Sequence, residues 1–66
     1  MLTEQEVRDR LRAATEAAGG LHRFGDRHGF TASYISDVLR GRRALADRIL
    51  ATIGVVRETV YREKAS

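Results

Sequence analysis

The stretch FGDRHGFTASYI, residues 24–35, places Gly25 and Gly29 four residues apart in a segment that otherwise reads as helix. Each glycine costs a helix interior about 1 kcal/mol relative to alanine. Conformational needs that offset this cost are a close backbone approach and a turn at positive φ. Gly25 suits the first and Gly29 the second. The segment is therefore expected to be two short helices that cross closely and are joined by a sharp glycine turn. Ile35 and Val38 would pack back into the crossing.

The flanking elements follow from caps and periodicity. Thr3 is a good N-cap and Glu6, three residues on, completes a capping box. Leu2 and Val7 occupy the two positions of a hydrophobic staple, and Val7, Leu11, Ala14 and Ala18 continue one apolar stripe. Gly19 and Gly20 end this first helix. A second helix is predicted over 21–28, with Leu21 and Phe24 facing inward. Thr31 caps a third over 32–40, whose apolar side is Tyr34, Ile35, Val38 and Leu39. The GRR run at 41–43 breaks it. A fourth is predicted over 45–53, burying Leu45, Ile49, Leu50 and Ile53 and stopping at Gly54. The segment VVRETVY, 55–61, is β-branched and aromatic and reads as one strand. A lone strand has an unpaired edge that invites another chain.

Sixty-six residues allow one small domain, and a chain of this length buries only about 60% of its unfolded surface. That leaves no room for a large substrate cavity and argues against an enzyme. No cysteine is present, so neither disulfides nor a cysteine-based zinc site contribute. His22, Asp26 and His28 do not form a convincing ligand set, since His28 lies off the face shared by the other two. No metal or other cofactor is expected. No apolar run approaches the roughly 18 residues of a membrane span, and the amphipathic, acidic N-terminus is unlike a secretory signal. The expected location is the cytoplasm.

Net charge is +3, carried by eleven arginines and one lysine against nine acids. Residues 1–20 carry an excess of one negative charge. Residues 21–48 hold six arginines against three aspartates, a surplus of three positive charges, and 49–66 add one more. The basic excess is concentrated where a polyanion-binding face would sit.

Two short helices joined by a tight glycine turn describe a helix-turn-helix. The run LHRFGDRHGFTASYISDVLRGRR resembles that of the Cro and C1-type phage repressors, the xenobiotic-response-element family. Gly25, Gly29, the inward Phe30, Ile35, Val38 and the basic loop after Leu39 carry the resemblance, which spans about residues 5–54. It implies an all-α, compact four-helix domain of the lambda-repressor-like type over 1–54. A short C-terminal β-strand and tail, 55–66, would follow as the dimerisation element. Leu21 departs from the glutamine common in the family at the start of the first motif helix, and His28 replaces a usual aliphatic residue.

The resemblance further implies a sequence-specific transcriptional regulator of double-stranded DNA. Its third helix would enter the major groove with Ala32, Ser33, Ser36, Asp37 and Arg40 at base edges. Arg40 would read guanine O6 and N7 or else hold a phosphate, Asp37 would accept from cytosine N4, and Ala32 would meet a thymine methyl. His22, Arg23, Thr31, Tyr34, Arg42 and Arg43 would contact the backbone, fixing register and supplying non-specific affinity. A homodimer formed through Val55, Val56, Val60 and Tyr61 would set two recognition helices about 34 Å apart on a palindromic operator. With no second domain to sense a small-molecule ligand, occlusion of a promoter is the simplest mode of repression. The alternative is a protein-interaction module, an antitoxin or adaptor on the same scaffold. RNA binding is disfavoured because TASYI offers no stacking platform.

Overall fold

The computed structural model describes residues 1–57 and 61–63. Four helices run in order: α1 (Glu4–Ala17), α2 (Leu21–His28), α3 (Ala32–Leu39) and α4 (Asp47–Ala51). Two short antiparallel strands close the domain, β1 (Val55–Arg57) and β2 (Tyr61–Glu63). Helix α1 packs on both α2 and α3, which also pack on each other, while α4 packs on β1.

The local signals act as their chemistry requires. Thr3 Oγ1 accepts from the Glu6 N–H and Glu6 Oε1 accepts from the Thr3 N–H, both at 3.1 Å, so the capping box at α1 is complete. At the other end the Gly20 N–H donates to Thr15 O at 2.9 Å and the Gly19 N–H to Glu16 O at 3.1 Å. This pair of bonds is a Schellman closure. Arg42 and Gly41 close α3 the same way, donating to Asp37 O at 2.8 Å and Val38 O at 3.1 Å.

The α2–α3 turn explains both glycines. Gly29 caps α2 at φ 80°, ψ 33°, the left-handed region that a Cβ disfavours. A Cβ on Gly25 would run into the Phe30 carbonyl oxygen, and would lie 3.4 Å from Ile35 Cδ1. The close approach at Gly25 is therefore made chiefly by the turn backbone, with the α3 side chain second. Its carbonyl accepts from both Gly29 N at 2.7 Å and Phe30 N at 2.9 Å. One glycine thus seats the turn that the other makes.

The core is Val7, Leu11, Phe24, Ile35, Val38, Leu45, Ile49, Leu50 and Val55. Burying each such side chain contributes about 1.5–3 kcal/mol. Thr15 is also buried, and its hydroxyl donates to Arg12 O at 2.7 Å, which removes the cost of hiding it. Leu2, Ala14, Ala18, Leu21, Tyr34, Leu39 and Ile53 pack around this centre.

Three expectations change. The third helix ends at Leu39, with Arg40 as its cap. The fourth spans only Asp47–Ala51, because Ala46 provides no side-chain cap and the chain beyond Ala51 tightens. Thr52, Ile53 and Gly54 donate to carbonyls three residues back, at 3.1, 3.1 and 3.3 Å. Leu45, just before the helix, is nevertheless buried as expected.

The third change concerns the tail. In place of the single strand expected over 55–61, β1 and β2 pair antiparallel, with Val55 opposite Glu63, Val56 opposite Arg62 and Arg57 opposite Tyr61. Its second strand is tied back to the chain start, where the Leu2 N–H donates to Tyr61 O at 2.8 Å. Arg10 adds an exposed ion pair to Glu63 at 2.6 Å. The strand therefore has an internal partner, and the reason first given for a second chain does not hold.

Candidate nucleic-acid interface

Helix α3 has two unlike faces. Ile35 and Val38 are fully buried, and Leu39 packs beside them. Ser33, Ser36, Asp37 and Arg40 recur at helical spacing on the other side. Ser33 and Arg40 are exposed, Ser36 and Asp37 half-buried, and Ala32 stands half-buried in the first turn. The five side chains expected at base edges thus lie on α3 or at its C-cap, and four of them form a single stripe.

Thr31 is the α3 N-cap, its hydroxyl oxygen accepting from the Tyr34 N–H at 3.1 Å. Arg42 and Arg43 are exposed in the loop that follows. Arg43 Nε lies 3.8 Å from Asp37 Oδ2, a loose pair between a loop cation and a side chain of the exposed stripe. His22 and Arg23 are exposed in the first turn of α2, and the Arg23 stem lies along Gly19, where a Cβ would come within 2.8 Å of its Cδ. Leu21 packs on the core as an apolar anchor. His28 is half-buried with its ring 4.5 Å from that of Phe24, so it serves as a packing group at the end of α2.

Tyr34 is half-buried and stacks on Phe30, with ring centroids 5.5 Å apart and planes 20° from parallel. The Arg43 guanidinium lies 5.6 Å from the Tyr34 centroid, and that of Arg48 lies 5.2 Å from the Phe30 centroid. Both are within cation–π range.

Two further arginines, unassigned from sequence, hold α3 in place. Arg8 Nε donates to Val38 O at 2.9 Å while its Nη1 pairs with Glu4 at 2.8 Å, and Arg12 Nη2 reaches Leu39 O at 3.4 Å. They satisfy carbonyls at the α3 C-terminus, where positive charge is also favoured by the helix dipole. Their spacing of four on α1 was visible in the sequence, but nothing there links them to a helix 30 residues away.

The side chains expected at a dimer interface are placed differently from one another. Val55 is buried in the domain's own core, Val56 and Tyr61 are half-buried, and Val60 lies outside the described residues. Beside β1 a cleft of about 310 Å³ is lined by Leu50, Ala51, Gly54, Val56 and Arg57 among others.

Among the described residues no three His, Asp or Glu side chains come together as a metal site, and no helix is long and apolar enough to cross a membrane. No protein-family model matches the chain, and neither the curated proteins nor the solved structures searched contain a significant match.

Proposed function

We propose that the chain is a sequence-specific DNA-binding regulator that places α3 in the major groove, with α2, the Gly29 turn and α3 acting as a helix-turn-helix of the Cro/C1 type. The observation that carries this reading is the division of α3. Ile35 and Val38 anchor one face, while Ser33, Ser36, Asp37 and Arg40 line the other beside the basic Arg40–Arg43 segment. Small polar residues admit close approach to base edges, and Arg40 and Asp37 supply donor and acceptor chemistry for guanine and cytosine. Arg42 and Arg43 follow at the helix end, where phosphate contacts fix register. In this reading His22, Arg23, Thr31 and Tyr34 are further backbone contacts, and Ala32 meets a thymine methyl.

A single small domain makes few contacts, so the functional unit is a homodimer on a palindromic site and its mode of action is promoter occlusion. The surface for it is the outer edge of β1 with Val56 and the adjoining cleft, since Val55 is committed to the monomer core. The competing reading, a protein-interaction module, would use that same cleft and leave the arginines idle.

The test is binding of the purified protein to the DNA upstream of its own gene, against a scrambled duplex, at two salt concentrations. Selective binding that weakens steeply with salt and collapses in R42Q/R43Q is the expected result. Equal weak binding to both duplexes would overturn it.

A further inference from the structure

Four side chains from four separate segments make a continuous run of ring and cation–ring contacts along one border of the exposed α3 stripe. Phe30 comes from the turn, Tyr34 from the start of α3, Arg43 from the following loop and Arg48 from α4. The contacts run Arg48 to Phe30 at 5.2 Å, Phe30 to Tyr34 at 5.5 Å and Tyr34 to Arg43 at 5.6 Å. Arg48 also lines an open groove of about 420 Å³ with Gly29, Phe30, Thr31, Tyr34 and Ala46. The Arg48 guanidinium comes within 3.9 Å of where a Gly29 Cβ would stand.

A guanidinium held near a ring by cation–π attraction keeps its N–H donors for other partners, and its planar fork matches two phosphate oxygens. A free arginine gives up rotamer entropy when it is fixed, and contact with a ring lowers what remains to be lost on binding. Among the described residues Arg43 has one carboxylate within 4 Å, Asp37, and Arg48 has none. The rings contact each other and the guanidinium groups, so the chemistry offered to a ligand is paired cationic N–H forks at the two ends of one rail.

We propose that the Arg48–Phe30–Tyr34–Arg43 stack is a phosphodiester clamp, in which Arg48 and Arg43 each hold a phosphate of one nucleic-acid strand passing the border of α3. The clamp rests on the DNA-binding reading and adds Arg48 as a contact and Phe30 as a positioning residue. An acidic protein segment is the rival occupant. Nucleic acid is favoured because both cations border the exposed α3 stripe that the DNA-binding reading sets against a duplex.

The experiment titrates wild type, R48M, F30L and the double variant against the upstream and scrambled duplexes over a salt series, with circular dichroism checking that each is folded. R48M should weaken binding to both duplexes by the same factor and reduce the slope of log K against log salt by about 0.9. F30L removes no charge yet should weaken binding as well, and adding R48M to it should cost less than R48M alone. If wild type binds DNA and R42Q weakens it while R48M changes neither affinity nor slope, the clamp fails and the DNA reading stands. If wild type binds no duplex at low salt, the DNA reading fails and the clamp with it. Polyglutamate bound as tightly as duplex at equal charge concentration would also overturn the clamp.

Discussion

Arg8 in α1 donates its Nε–H to the carbonyl oxygen of Val38 in α3, 30 residues away, across 2.9 Å. The side chain is only 12% exposed and is braced by Glu4 at 2.8 Å. The same carbonyl accepts from Gly41, so this one oxygen joins α1, the end of α3 and the basic loop. Hydrogen bonds from charged donors contribute about 1.5–3 kcal/mol. Replacing Arg8 with methionine keeps the stem and removes the fork, and should lower stability by about 1–3 kcal/mol in urea denaturation. An unchanged midpoint would mean that the bond contributes nothing net.

That contact also marks the limit of what the sequence discloses. Thr3, Glu6, Gly29 and Thr31 act through neighbours within a few residues, and their roles could be read from spacing. The stripe of α3 was equally legible, because Ile35 and Val38 fix which side faces in. Arg8 and Arg12 were not, since charge on an amphipathic helix reads as solvated surface until the helix opposite it is known. The pairing of β1 with β2 was not legible for a related reason. No glycine or proline interrupts the run VVRETVY, and the pairing of Tyr61 with Leu2 joins distant parts of the chain.

The two turn glycines should respond differently to alanine. At Gly29 the penalty is a left-handed backbone, about 1–2 kcal/mol. At Gly25 the new methyl meets the Phe30 carbonyl, and overpacking of this kind costs about 1–3 kcal/mol. A gain in helix propensity of about 1 kcal/mol offsets part of that. Thermal unfolding should show both variants destabilised, with the near-ultraviolet signal of Phe30 and Tyr34 altered in G25A. A G25A protein as stable as wild type would show that the turn can move aside.

Glu6 contributes a pH dependence. Its carboxylate accepts from the Thr3 backbone N–H, and Thr3 is the main cause of a pKa held below the usual carboxylate value. A depressed folded-state pKa adds stability that is present above the unfolded value of about 4.3 and is lost as pH falls through the folded value. Acid titration of stability should therefore be shallower in E6Q, which retains the capping geometry without the charge. Superimposable wild-type and E6Q profiles below about pH 5 would remove Glu6 from the account.

Asp37 is the most informative position on the exposed stripe, because the proposed complex sets it against a base while it stands 3.8 Å from Arg43. In the proposed complex it accepts from cytosine N4, and a well-made base contact discriminates by about 1–3 kcal/mol. Changing it to asparagine removes a negative charge from the binding face and releases Arg43 to the phosphates. Affinity for a scrambled duplex should consequently rise in D37N, while the advantage of the operator over the scramble falls at one base-pair position. The two effects have opposite signs, which a loss of folding cannot imitate. A parallel decrease on both duplexes would assign Asp37 to positioning Arg43 and remove it from base reading.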